Sequence, residues 1–152
     1  MNIPAFLEEQ HWSFAVMPHL TTYTAQEMAH ELHVPGREVA KTVLLRADGE
    51  FVVALVPANN RVNLDRAAEL LGADSVELAS EADITAHCSD CELGALPPFG
   101  SRYGMKTIVD EGLARDEQIV FESNTHDEAI RMQFDEYRRL EEPLIGAFAG
   151  AM

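Results

Sequence analysis

Two neighbouring segments constrain the fold of this chain most strongly. Residues 37–46 and 51–57 are rich in Val, Leu and Ala, and Asp48-Gly49 lies between them. Such runs are typical of buried strands, and Asp-Gly is a preferred two-residue turn between antiparallel strands. The sequence therefore predicts a buried β-hairpin around which the remaining elements pack.

The first strand of this hairpin carries a lysine in an apolar row. Because side chains alternate along a strand, Val39, Lys41, Val43 and Leu45 should share one face. The only other lysine is Lys106, so Lys41 does not reflect a general excess of lysine. Burying an ammonium is costly without an anionic partner. Periodicity leaves two interpretations open: an edge-strand lysine that reaches water or a surface carboxylate, or a functional lysine that lines a pocket.

Short helices and strands are predicted on both sides of the hairpin from periodicity, capping residues and turn residues. The predicted helices cover residues 3–10, a segment opened by the Thr24 capping box that stops before Pro35, residues 64–71, a segment opened by Ser80, and residues 135–140. The other predicted strands cover residues 11–17, 75–79, 105–110, 118–123 and 129–134, with loops at 58–63 and 88–104 and a tail from Pro143. Hairpins dominate this order, so we expect a single α+β domain over residues 1–152, with a mixed, mainly antiparallel sheet flanked by short helices.

Composition excludes several classes of function. The formal net charge of −15 argues against non-specific nucleic-acid binding and against a DNA partner, because such binding depends on Lys and Arg neutralising phosphates. A short nucleic-acid end in a local basic pocket stays possible. The sequence has no apolar run of membrane-spanning length and no signal-peptide pattern at its start. We therefore expect no membrane partner and a cytoplasmic protein.

Three further features bear on function, each with a structural alternative. The loop at residues 94–100 combines Gly94 with Pro97 and Pro98, which suits either a stiff ligand-binding strip of backbone carbonyls or a rigid turn. His126 follows a predicted strand and fits a substrate contact or a surface residue. The pair at Cys88 and position 91 makes half of a zinc site at most, so two ordinary loop thiols are favoured over a zinc or redox site.

Four stretches together resemble the YbaK / prolyl-tRNA synthetase-associated domain family, whose members hydrolyse mischarged aminoacyl-tRNA. They are residues 39–42, 51–57, 94–100 and 124–130, in the family's order, and the resemblance extends from about residue 23 to residue 140. It implies a curved mixed sheet wrapped by helices. It also implies a pocket between the lysine strand, the GxxxP loop and the histidine turn.

The resemblance assigns roles to matching residues. Lys41 would be the essential catalytic lysine, contacting the terminal phosphate or the ester end of the substrate, with Thr42 beside it. His126 would line the amino-acid pocket, and Asn124 stands where the family often has Gly, whose backbone conformation Asn can also adopt. The substrate-binding loop would be formed by Gly94, Ala95, Leu96, Pro97, Pro98 and Phe99.

The resemblance implies a trans-acting aminoacyl-tRNA deacylase that uses no cofactor, metal or covalent intermediate. Its partner would be the acceptor end of a mischarged tRNA. The domain would either bind this end alone or receive the tRNA from an aminoacyl-tRNA synthetase. An aminoacyl ester is already activated, so substrate positioning and oxyanion stabilisation can carry the rate. The alternative, favoured by the acidic composition, is a non-catalytic binding or regulatory module that retains the aminoacyl-adenosine pocket.

Overall fold

The central hairpin is present and its turn sets its register. In the computed structural model, which describes residues 2–22, 24–88, 96–123 and 125–151, β2 (Ala40–Ala47) pairs antiparallel with β3 (Glu50–Pro57) along its whole length. Asp48 and Gly49 adopt positive φ angles of 50° and 86°, as a type I′ turn requires. The predicted hairpin is confirmed, although β2 begins later than expected because Gly36–Glu38 forms a 3₁₀ turn.

The strands form three sheets. Besides the hairpin, they are β1 (Ala15–Pro18), β4 (Asn60–Val62), β5 (Val76–Leu78), β6 (Lys106–Asp110), β7 (Gln118–Glu122), β8 (Glu128–Gln133), β9 (Leu144–Gly146) and β10 (Ala149–Ala151). The sheets have the orders β5–β2–β3–β6–β9, β1–β8–β7 and β10–β4. The pairs β3–β6 and β6–β9 are parallel and the other strand pairs are antiparallel. The predicted mixed, mainly antiparallel α+β fold is confirmed.

The helices begin and end largely where capping residues predict. They are α1 (Ile3–Glu9), α2 (Ala25–Leu32), α3 (Leu64–Leu71), α4 (Glu81–His87), α5 (Glu111–Ala114) and α6 (Phe134–Glu141). The side chains of Thr24 and Ser80 accept hydrogen bonds from the first turns of α2 and α4. Gly72 ends α3 in the left-handed conformation, with φ of 66°. None of the described helices is long and apolar enough to cross a membrane.

Some predicted boundaries were wrong. The loop expected at residues 58–63 contains β4, the tail expected after Pro143 contains β9 and β10, and the strand expected at 11–17 is reduced to β1. The missed strands have three residues each and pair with distant partners: β10 with β4, and β9 with β6. Their stability comes from those partners, so local sequence carries little signal of them.

The hairpin is covered on both faces. On one face, Leu45, Val52 and Val56 pack with α3 and the buried Phe148. On the other, Leu44 and Leu55 pack with a larger core contributed by α1, β7, β8 and α6. A third cluster joins α2 to β7 and β8. The hairpin is therefore a rigid support for any side chain that projects from it.

Asp110 connects the end of β6 to the C-terminal segment. Its carboxylate is buried and accepts hydrogen bonds from the backbone N–H groups of Gly112, Phe148 and Ala149, at 2.9, 3.0 and 2.9 Å. Because Phe148 is fully buried in the core beneath the hairpin, these amides have little access to water as an alternative partner. This carboxylate therefore holds the chain between β9 and β10 in place.

We expect Asp110→Ala to lower the free energy of unfolding by about 2–4 kcal/mol, because it leaves buried N–H donors without an acceptor. Urea unfolding followed by circular dichroism would measure this. Asp74→Ala is the matched control, since Asp74 is exposed and its loss should change stability by about 0.5 kcal/mol or less. Equal effects of the two substitutions would contradict the anchoring role.

Candidate functional site

A gap in strand pairing opens one edge of β2. β5 pairs only with residues 45–47 of β2, and the Ala79 N–H extends this edge by donating to the Leu44 carbonyl. At the other end, Val39 forms a parallel bridge with Val120 of β7. Between these points, no strand in the described part of the chain pairs with this side of residues 40–43.

The open edge borders a cavity of about 340 Å³. Backbone polar groups of alternate residues point to the same edge of a strand, so Thr42 presents its N–H and C=O on the same side as Leu44. The cavity wall is mainly apolar. It comprises Thr24, Ala25, Ala40, Lys41, Thr42, Val43, Leu44, Leu78, Ala79, Ile84, Leu96 and Glu122.

Lys41 is one of the residues of this wall. Alternation along β2 puts Lys41 and Val43 on the face of the strand that carries Leu45, as the sequence predicts. β2 is an inner strand of its sheet, between β5 and β3, and the open edge beside Lys41 faces the cavity. Lys41 therefore lines a cavity, and a functional role for it stays a prediction. Partial burial lowers the pKa of Lys41, because the charged form loses hydration.

Glu122 is a cavity residue that sequence reasoning missed. It is the last residue of β7, its side chain is only 10% exposed, and one carboxylate oxygen lies 3.4 Å from Nδ1 of His126. Nothing in the sequence distinguishes it among the 26 Asp and Glu residues of the chain. The structure thus brings a carboxylate and a lysine to the same cavity.

His126 is buried and contacts the cavity wall through Glu122. Its side chain is 6% exposed, and its backbone carbonyl accepts a 2.9 Å hydrogen bond from the N–H of Thr22. The turn that carries the imidazole is therefore tied to the segment before α2. Asn124, predicted to shape this turn, lies outside the described residues.

The C-terminal half of the predicted substrate loop is anchored in the core. Leu96 lines the cavity, while Phe99 is fully buried against the rings of Phe6, Phe121 and Tyr137, with centroid distances of 5.6–5.8 Å. Phe99 is thus a core residue and is absent from the cavity wall.

Tyr137 also fixes the prolines of this loop. Pro97 and Pro98 are buried, and the Tyr137 hydroxyl donates a 2.6 Å hydrogen bond to the Pro98 carbonyl. Burial raises the pKa of Tyr137 well above its ordinary value, which keeps the hydroxyl protonated as a donor. Gly94 and Ala95, the other predicted loop contacts, lie outside the described residues.

Cys88 is not the free thiol that the sequence predicts. It is buried, its sulfur lies 3.2 Å from the Tyr103 hydroxyl oxygen, and it is disulfide-bonded. The prediction of an ordinary thiol is therefore wrong for Cys88, and the same prediction for Cys91 lies outside the described residues. Over residues 2–22, 24–88, 96–123 and 125–151, no three His, Cys, Asp or Glu side chains are grouped as metal ligands.

Comparison with known proteins finds one family and a set of synthetases. The family model described as the aminoacyl-tRNA editing domain matches residues 19–140. A proline–tRNA ligase of Nitratidesulfovibrio vulgaris is 32% identical over 119 residues, which is 78% of this chain and 21% of the ligase. A proline–tRNA ligase of Streptococcus pneumoniae serotype 4 is 34% identical over 101 residues, 66% of this chain and 16% of the ligase. The chain thus spans about a fifth or less of the length of these curated relatives.

Solved structures match over nearly the whole chain. The hypothetical protein APE2540 aligns with a TM-score of 0.87 and 17% identity, covering 97% of this chain and 99% of that one. A structure described as a candidate trans-editing enzyme for prolyl-tRNA synthetase aligns with a TM-score of 0.85 and 20% identity, covering 98% and 95%. At these identities the likeness establishes the fold.

We expect Lys41 to release its proton at lower pH than an ordinary lysine, because its charged form is disfavoured by burial. The chain has only two lysines, so reductive ¹³C-methylation should give two lysine methyl signals, and Lys41→Arg assigns them. The signal lost in that variant should titrate below a dimethyl-lysine reference peptide. A midpoint at or above the reference would contradict the desolvated environment.

Proposed function

The chain belongs to the aminoacyl-tRNA editing domain family, and from this premise we propose that it is an aminoacyl-tRNA deacylase that acts in trans on mischarged tRNA. The observation that carries the proposal is Lys41, a partly buried lysine beside an open strand edge that borders a cavity. Burial lowers the pKa of Lys41, and ionisable groups with shifted pKa values in clefts are common at functional sites.

The proposed reaction is hydrolysis of the ester between the amino acid and the terminal adenosine. Water adds to the ester carbonyl, the bond from the carbonyl carbon to the ribose oxygen breaks, and a proton passes to that oxygen, giving free amino acid and uncharged tRNA. The substrate's own ribose hydroxyl is placed to position the water. No metal or covalent intermediate takes part, because the ester is already activated.

Two groups on β2 are placed to stabilise the charge that develops on the carbonyl oxygen. The Lys41 ammonium carries a full positive charge in a partly desolvated site, where its interaction with an oxyanion or a terminal phosphate is stronger than in water. The Thr42 N–H faces the open edge of the strand. In this proposal Lys41 is the catalytic residue, and Thr42 contributes through its backbone.

The loop is proposed to hold the ester and the terminal ribose. Gly94, Ala95 and Leu96 would contact the substrate, while the contacts of Pro98 and Phe99 with Tyr137 keep the loop from shifting. Selectivity would come from cavity size, and one methylene discriminates by only about 1–3 kcal/mol. The amino acid removed should therefore be small enough for a cavity of about 340 Å³.

The acidic composition limits how tRNA can bind. At a net charge of −15, extended contact with the phosphate backbone is disfavoured, so we propose that the protein grips the acceptor end alone. We further propose that an aminoacyl-tRNA synthetase supplies the mischarged tRNA, since the two relatives described above are proline–tRNA ligases. In this proposal the protein acts in the cytoplasm and contributes to the fidelity of translation.

The same charge supports a second candidate, a non-catalytic module that retains the pocket for an aminoacyl-adenosine-like ligand. Such a module would bind the ligand without hydrolysing it. The two candidates predict different outcomes in an ester-hydrolysis assay, since only the deacylase consumes substrate.

We expect the protein to hydrolyse one or two members of a panel of tRNAs charged with Ala, Cys, Ser or Thr, and Lys41→Met to reduce kcat/KM by about 10²–10³-fold, a loss typical of removing one oxyanion-stabilising group. Release of radiolabelled amino acid from acid-precipitable tRNA measures the rate after subtraction of spontaneous hydrolysis.

The control is Lys106→Met, which removes the only other lysine, an exposed residue outside the cavity. It should retain the wild-type rate, and circular dichroism should report folded protein for both variants. A panel left intact by the wild type would favour the binding module. Hydrolysis unaffected by Lys41→Met would remove Lys41 from the reaction.

A further inference from the structure

The cavity carries two charges of opposite sign on different elements. Among its described lining residues, Lys41 on β2 and Glu122 at the end of β7 are the charged ones, and the others are apolar or uncharged. A carboxylate on such a wall has lost much of its hydration, so a cation that enters the cavity is attracted to it more strongly than at the surface. The wall thus carries a carboxylate that can attract a cationic ligand.

His126 gives the carboxylate of Glu122 a defined place. Its Nδ1 lies 3.4 Å from one oxygen of Glu122, and both side chains are at least nine-tenths buried. The backbone of His126 is held by the hydrogen bond that the Thr22 N–H donates to its carbonyl. The carboxylate therefore belongs to a built part of the wall and is not a mobile surface group.

An aminoacyl ester supplies a matching cation. Its α-amino group, with a pKa of about 8 in model peptides, is protonated at neutral pH. It lies one carbon from the ester carbonyl, so it enters the cavity together with the reacting bond. The Lys41 ammonium repels it and the Glu122 carboxylate attracts it. The two wall charges together leave one favourable orientation, with the ammonium toward Glu122 and the ester toward Lys41.

We propose that Glu122 binds the α-ammonium of the aminoacyl group and makes the site selective for a free amine. The inference rests on the proposed function only in the identity of the ligand. It adds a class of rejected ligands: α-hydroxyacyl and N-acylated adenosines, including the ends of peptidyl-tRNA, which offer the carboxylate no cation. His126 acts as a positioning residue for this carboxylate.

The test uses two stable ligands that differ in this one group. They are 3′-deoxy-3′-(L-alanylamino)adenosine and its L-lactoylamino counterpart, in which a hydroxyl replaces the amine. Isothermal titration calorimetry at pH 7 should give wild-type protein a preference of about 10- to 100-fold for the amine, the range expected for one charge-assisted hydrogen bond. In Glu122→Gln this preference should fall to about 2-fold or less, mainly through weaker binding of the amine.

Matched variants separate charge from structure. Glu117→Gln removes the same charge just before β7, at an exposed position outside the cavity wall, and should keep the wild-type preference. Glu122→Asp keeps the carboxylate and should prefer the amine more than Glu122→Gln does. His126→Asn should reduce the preference if the imidazole positions Glu122.

The inference is overturned if wild-type protein binds both ligands equally or binds neither, or if Glu122→Gln retains the full preference. Failure of the proposed function has a different signature. In that case the amine is preferred and Glu122 is required for the preference, while the panel of charged tRNAs stays intact.

Discussion

The register of β2 against β3 is the constraint on which the cavity depends. Lys41 lies opposite Val56, and the two-residue turn at Asp48 and Gly49 fixes this pairing. A slip of one residue would turn Lys41 toward the large core on the opposite face, where no water is available to its ammonium. Because β3 is buried on both faces, such a slip would also expose its apolar residues. The same packing that stabilises the hairpin therefore holds the lysine at the open strand edge.

The cavity exists because β5 is short. Had β5 continued along β2 past the Leu44 carbonyl, its backbone would occupy the edge that now borders the cavity. An unpaired strand edge buried without partners is unfavourable, since its N–H and C=O groups lose water. A ligand with polar groups can satisfy that edge, and this relates the interruption in pairing to the proposed binding of an ester. Phe99 and Tyr137 contribute by holding the C-terminal half of the loop at residues 94–100 in place.

Local signals in the sequence account for what could be predicted. Turns and helix caps act over a few residues, so they can be predicted without knowledge of the fold. Examples are the Asp48-Gly49 turn, the caps at Thr24 and Ser80, and the end of α3 at Gly72. The strands β4, β9 and β10 depend on pairing with distant strands, so they cannot be recognised from local sequence. The site divides in the same way: Lys41 is conspicuous as one of two lysines in an apolar row, whereas Glu122 becomes distinct only when β7 places it beside the cavity.

The charge distribution gives the cavity its proposed selectivity in an acidic protein. Several arginines are engaged by nearby carboxylates: Arg46 with Glu77 and Asp83, and Arg115 with Glu111. Such exposed pairs add little stability, and the net charge of −15 disfavours binding of phosphates along an extended surface. The proposed recognition therefore relies on the cavity, where partial desolvation strengthens each charge. A positive and a negative group in one cavity wall suit a small ligand that carries an ammonium and develops an oxyanion better than a long polyanion. The acidity of the chain and the two charges of its cavity are thus consistent with the proposed ligand, the aminoacylated tip of a tRNA rather than its stem.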